Sequence, residues 1–126
     1  MTEKIFSTSS GDQSAYRLPS VSAMTEDIMG CKWSMTVLQL VRQGICRPGA
    51  MERQIEGLTS KVLNERLKKL TNYGILHRHA YPEIPPRVEY QLTEFGEKFV
   101  NILDAIATLD REIHASTTSE SRIDFN

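Results

Sequence analysis

The spacing of apolar and polar positions predicts five helices and two strands between polar ends. Residues 1–22 carry Ser, Thr, Gly11, Asp12 and Gln13 with no sustained apolar period, and 115–126 have the same character. The sequence therefore predicts a flexible arm over 1–21, a folded domain over 22–114 and a flexible tail over 115–126. Ser22 can cap a short helix in which Glu26 and Asp27 precede Ile28 and Met29, and Gly30-Cys31 interrupts it. From Lys32 to Gln43, Trp33, Val37, Leu40 and Val41 recur at helical spacing before Gly44, with Trp33 as the expected large core anchor. Pro48 suits the first turn of a third, short helix that places Met51 and Ile55 four apart and runs toward Gly57.

The clearest period starts at Thr59 or Ser60, either of which can cap. Leu63, Leu67 and Leu70 then fall on one face before Gly74. The opposite face carries Lys61, Asn64, Glu65, Lys68 and Asn72, flanked by Arg66 and Lys69. Ile75 to Tyr81 and Arg87 to Leu92 read as strands, the second alternating Val88, Tyr90 and Leu92 with Arg87, Glu89 and Gln91. Pro82, Pro85 and Pro86 cannot continue a central strand, so 82–86 is the stiff tip of an antiparallel hairpin. Thr93 caps a last helix whose Phe95, Phe99, Ile102, Ile106, Leu109 and Ile113 form a heptad seam. Val100, Leu103 and Ala107 add a second stripe beside it. One small domain covers only one stripe, so the seam is expected to pair with a second copy, with the first helix nearby.

Composition narrows the reading. A chain of 126 residues, 40% hydrophobic, supports one domain with a modest core, which argues against a multidomain enzyme. Lys and Arg number 15 against 16 Asp and Glu, a net charge of -1, so a nucleic-acid site has to be local. Residues 59–79 supply one: Lys61, Arg66, Lys68, Lys69 and Arg78 oppose Glu65 alone, a balance of +4. Binding is then expected to concentrate on a narrow face, with little non-specific affinity at physiological salt. No apolar run nears the roughly 20 residues of a membrane span, and the opening Met-Thr-Glu-Lys-Ile-Phe lacks signal-peptide features. No membrane association and a cytoplasmic location are expected.

Cys31 and Cys46 are too few for a disulfide framework, and His77, His79 and His114 make no metal signature. No glycine-rich phosphate loop or nucleophile elbow is present, so neither catalysis nor a cofactor is expected. Glu83 and Glu89 near His79 are the nearest to acid-base candidates, but Glu89 has a plainer role as partner of Arg87. Trp33, Tyr73, Tyr81, Tyr90 and Phe95 read as packing rather than a ligand cage.

Three helices, a helix with a basic outer face, a hairpin and a closing helix follow the order of a winged helix-turn-helix, mainly α with a small β-hairpin, dimerising through its terminal helices. The turn at 56–59 lets the third helix brace the fourth, which offers Thr59, Ser60, Lys61, Asn64 and Lys68 to a major groove. Asn64 suits adenine, and the cations suit guanine or phosphate. Arg47 joins the DNA-binding candidates, and Arg87 is the cation expected to reach out from the wing to backbone or minor groove. A winged helix that binds protein rather than double-stranded DNA is the alternative, disfavoured by the basic helix face.

Gly30-Cys31-Lys32-Trp33, the run from Thr59 to Leu67, and above all Tyr81-Pro82-Glu83-Ile84-Pro85-Pro86-Arg87-Val88-Glu89-Tyr90 with Leu92-Thr93 and Gly96 resemble HxlR-type bacterial transcription regulators. The resemblance spans about Leu18 to His114. It implies a homodimeric winged-helix DNA-binding regulator, and pairing through the closing helix is expected to set two recognition helices about one DNA turn apart on a pseudo-palindromic operator. The Cys-Pro pair found near the N-terminus of many members is Leu18-Pro19 here, the usual second glycine before Lys-Trp is Cys31, and Pro48 replaces the aromatic that commonly follows Arg47. Cys31 and Cys46 are therefore candidates for redox sensing, with inert packed thiols as the plain alternative. A small effector has room between the dimer helix and the winged domain.

Overall fold

A computed structural model describes residues 17–120, with side chains described through Ala115. Its elements are α1 (Val21–Met29), α2 (Lys32–Arg42), α3 (Pro48–Gln54), α4 (Ser60–Asn72), β1 (Leu76–Tyr81), β2 (Arg87–Leu92) and α5 (Glu94–Glu120). Helices dominate around one antiparallel hairpin, the winged helix-turn-helix order that the pattern predicts. Among the described residues no helix is long and apolar enough to cross a membrane. Most of the predicted arm and the end of the predicted tail lie outside the described residues. The helical backbone of α5 runs to Glu120, past the Ala115 at which the sequence predicts a tail.

The start of α1 and the end of α3 also differ from the sequence reading. Ser20, not Ser22, caps α1: its Oγ accepts the Ala23 N–H at 3.0 Å. Ser22 then lies inside the first turn, and Glu26 and Asp27 lie too far along α1 to meet its N-terminal dipole. α3 ends at Gln54, because Ile55 is already extended (φ -121°, ψ 113°) on the way to the turn at Gly57. The α4 boundaries follow the pattern. Thr59 Oγ1 accepts the Val62 N–H at 3.2 Å. At the other end the Ile75 N–H reaches the Leu70 carbonyl and the Gly74 N–H that of Thr71, the paired bonds of a Schellman cap with Gly74 at φ 82°.

Leu63, Leu67 and Leu70 of α4 are fully buried with Met24, Ile28, Val37, Leu38, Met51, Ile75 and Phe99. Removing each from water contributes about 2 kcal/mol before entropy is counted. Trp33 is not the anchor of this core. It sits in the first turn of α2 and is only partly buried, its ring lying 3.9 Å from where a Cβ on Gly57 would stand, with the Lys32 ammonium 4.8 Å from the ring centre. The indole thus props the turn between α3 and α4. Phe99 is the large side chain in the centre.

The hairpin pairs Leu76 with Leu92 through Tyr81 with Arg87. Strand alternation sets Leu76, Arg78, Ala80, Val88, Tyr90 and Leu92 on one face and His77, His79, Tyr81, Arg87, Glu89 and Gln91 on the other. The Cys46 carbonyl accepts the Tyr90 N–H at 2.9 Å, which holds the α2–α3 connection beside β2. Thr93 Oγ1 donates to the Gly74 carbonyl and accepts the Gly96 N–H, so one hydroxyl caps α5 and ties it to the end of α4.

The seam predicted on α5 divides in two. Phe99 is 1% exposed and belongs to the core with Val100 and Leu103, so it is withdrawn from the dimerisation residues. Phe95, Ile102, Leu109 and Ile113 are exposed and Ile106 is half-buried. The reason is the line of contact: α5 leans on the domain only along its first turns, and Arg42 clamps Asp104 through two bonds of 2.8 and 2.7 Å at the edge of that contact. Beyond Asp104 none of the described side chains of α5 is buried.

Candidate nucleic-acid interface

Burying the leucine stripe of α4 forces the opposite side outward. Thr59, Ser60, Lys61, Asn64, Glu65, Lys68 and Asn72 are all exposed. Lys61, Asn64 and Lys68 succeed one another at spacings of three and four, hence on one stripe, and none of the three has an ion pair or side-chain hydrogen bond among the described residues. Ammonium, carboxamide and ammonium in a row offer only donors plus one amide acceptor, a set that suits phosphate oxygens and purine edges. Thr59 Oγ1 accepts the Val62 N–H in the cap, and its hydroxyl proton has no partner among the described residues.

Not all of the local +4 reaches solvent. Lys69 lies 3.1 Å from Asp27 of α1, and the Tyr73 hydroxyl donates to the same carboxylate. The Tyr73 bond is the main reason the Asp27 carboxyl is held below its ordinary pKa. Lys69 and Arg66 add to it and together they overcome burial. This cluster fastens α4 to α1 and removes Lys69 from the outward face.

The wing also differs from expectation. Arg87 does not reach out from it. Its guanidinium lies 3.6 Å over the Tyr81 ring, with Nη2 at 2.7 Å from Glu83 and Nη1 at 3.0 Å from Glu89. Burial opposes its charge, but the bond to Glu83 and the charges of Glu83 and Glu89 outweigh burial and raise its pKa. Glu89, with a side chain only 13% exposed, also takes Arg47 Nε at 3.2 Å and the Tyr81 hydroxyl at 3.4 Å. Both arginines proposed from sequence thus converge on one carboxylate. The i,i+2 pair Arg87 and Glu89 was the visible signal, since such residues share a strand face. The tip beyond them presents Ile84, fully exposed.

The cysteines are free and half-buried. Cys31 occupies the N-cap of α2. Burial raises its pKa, but the hydroxyl and amide of Ser34, the charge of Arg66 and the amide of Trp33 outweigh it and bring the thiol below its ordinary value. Cys46 lines a cleft of about 470 Å³ between α2, β2 and α5, with Val41, Arg42, Leu92 and Glu97. A narrower cleft of about 350 Å³ lies between α4 and the hairpin.

A helix-turn-helix with a donor-rich outer stripe, followed by a braced hairpin, defines a winged helix-turn-helix DNA-binding transcriptional regulator. A family model described as HxlR-like helix-turn-helix matches residues 28–117, and the chain belongs to that family. An uncharacterized HTH-type transcriptional regulator of Methanothermobacter thermautotrophicus is 40% identical over 71% of this chain and 67% of its own length. The solved structure of a MarR-family transcriptional regulator from Enterococcus faecalis V583 is similar with a TM-score of 0.70 at 26% identity, covering 89% of this chain and 96% of that one. The reduced form of the transcriptional regulator YodB from B. subtilis is similar at 0.57 and 25% identity over 80% of this chain and 92% of its own.

Proposed function

We propose that the protein works in the cytoplasm as a homodimer that reads a pseudo-palindromic operator. Its folded unit runs from the Ser20 cap of α1 through α5, so the bounds of 22 and 114 expected from the sequence move outward. The unpaired stripe Lys61, Asn64 and Lys68 on a helix whose other face is fully buried is the observation that carries this reading. α4 enters the major groove, Asn64 pairs with an adenine edge, Lys61 meets a guanine or phosphate, and Thr59 and Ser60 donate to backbone at the helix start. Arg47 and Arg87 stiffen the wing through Glu89 rather than inserting into DNA. The exposed Phe95, Ile102, Leu109 and Ile113, with Ile106, pack against the same residues of a second copy and set two α4 helices about one DNA turn apart. No observation favours a protein-binding module over this.

Selection of genomic fragments by the purified protein, followed by anisotropy titration of the enriched site, tests it. Asn64→Ala should relax discrimination at one base step by about 1–3 kcal/mol. Failure to enrich any sequence over bulk DNA would remove the reading. We assign a response to oxidants to Cys31, supported by its lowered pKa at the start of α2. A small effector would fit the 470 Å³ cleft, which meets both the winged domain and α5.

A further inference from the structure

The fate of each cation near the DNA-facing side is uneven. Arg47 and Arg87 are neutralised by Glu89 and Glu83, and Lys69 by Asp27. Lys61, Lys68 and Arg78 have no ion pair among the described residues. Arg78 is the unexpected member, since it lies on β1 and not on α4. Its strand face is the one that carries Leu76 and Tyr90, both buried against the domain, so its side chain is directed to α4 and not to the His77–Tyr81 side of the hairpin. There Arg78 lines the 350 Å³ cleft with Asn64, Lys68, Thr71 and Asn72 of α4, over a floor formed by Tyr90. Two cations face this cleft, the other side chains at its rim are amides and a hydroxyl, and no carboxylate lines it.

We propose that this cleft is a phosphodiester-binding subsite, in which Lys68 and Arg78 grip one DNA backbone strand from opposite walls. The proposal rests on the major-groove placement of α4. A helix in the major groove and a wing over the adjoining minor groove are separated by a single sugar-phosphate strand, and that strand has to cross the seam between α4 and β1. Lys68 and Arg78, two of the cations without an ion pair among the described residues, stand at that seam. Arg78 presents a planar fork that fits two phosphate oxygens, while Lys68 adds a point charge. Asn64, at the mouth of the same cleft, is thereby held in register with the bases beside that strand. Arg78 contributes affinity and register, not sequence preference.

The test is the salt dependence of binding to a fluorescein-labelled mixed-sequence duplex of about 30 base pairs, over about 50–200 mM KCl. Each phosphate contact contributes about 0.9 to the slope of log K against log salt. Arg78→Gln is expected to lower the slope by about 0.9 and weaken binding about tenfold, Arg78→Lys to restore the slope, and Arg78→Gln with Lys68→Gln to lose about twice as much. Lys98→Gln, on the exposed side of α5, should leave the slope as it is. Circular dichroism identifies any misfolded variant, in which case Lys68→Gln, from the other wall, still reads the same contact. If the wild type binds with a salt-dependent slope and neither variant changes it, the subsite is wrong while the DNA reading stands. If Arg78→Gln weakens only one sequence at constant slope, it reads a base and the subsite is again wrong. If the wild type binds neither this duplex at about 50 mM KCl nor any sequence enriched from genomic fragments, both readings fall together.

Discussion

A Cβ on Gly96 would stand 2.1 Å from the carbonyl oxygen of Ile75, so the first turn of α5 rests directly on the backbone that joins α4 to β1. The same carbonyl accepts the Thr93 N–H at 3.0 Å. This contact sets the angle at which α5 leaves the winged domain, and with it the presentation of any second copy.

Replacing Gly96 with Ala therefore tests the junction. In an open helix the change would stabilise by up to about 1 kcal/mol through propensity. Here the overlap is with backbone, which cannot swing aside, so the sign reverses and Gly96→Ala should cost about 3 kcal/mol in urea unfolding. Equal or higher stability would show that the junction is looser than the contact implies.

Glu89 pairs with Arg47 and, together with Glu83, with Arg87. Glu89→Gln keeps the shape and hydrogen-bonding reach of the side chain but removes its charge. Freed from it, Arg47 and Arg87 should raise affinity for mixed-sequence duplex roughly threefold to tenfold at low salt and steepen the salt slope. Discrimination between sequences should fall accordingly. Unchanged or weaker non-specific binding in an anisotropy titration would mean that the carboxylate does not restrain the wing cations.

The two faces of α5 separate experimentally. Leu109 and Ile113 are 59% and 61% exposed, so the wild type should sediment as a dimer and the double change Leu109→Asp and Ile113→Asp should leave helical content intact and yield a monomer. Phe99→Ala acts on the other face and should cost about 3–4 kcal/mol through the cavity it leaves. A double variant that still sediments as a dimer would place the interface elsewhere.

Cys31 offers a pH signature. In a Cys46→Ser background, the rate of alkylation by iodoacetamide should rise with pH to a midpoint below the ordinary thiol value of 9.0, because the neighbours of the thiolate favour its charged form. Urea should return the midpoint to the ordinary value, and Ser34→Ala should move it upward in the folded protein. A folded midpoint at or above the unfolded one contradicts this account, since burial alone would push it that way.

Short-range chemistry was legible in the chain. The leucine period of α4, its Thr59 and Gly74 boundaries, the proline-rich tip and the Thr93 cap each need only residues within one or two turns, and each stands where the pattern put it. The exposed stripe Lys61, Asn64 and Lys68 followed as the reverse side of that period. Less could be read where a distant segment competes. Ser20 and Ser22 are equivalent caps on paper. Trp33 looks like a core anchor until the turn at Gly57 is seen to hold it at the rim. The basic count over 59–79 could not reveal that Asp27, from another helix, takes Lys69, nor could the order of residues show that Glu89 takes Arg47 from a segment distant in the chain.

The sequence by itself determined the order of elements, the winged helix-turn-helix class and the outward face of α4, because hydrophobic period, caps and prolines act locally and burial of one helix face dictates the other. Only the tertiary structure decided which cations remain available and which apolar residues of α5 stay uncovered. Ion pairs and core contacts join residues far apart in the chain, such as Arg47 with Glu89 and Lys69 with Asp27, and they leave Arg78 as a cation of the hairpin without an ion pair among the described residues.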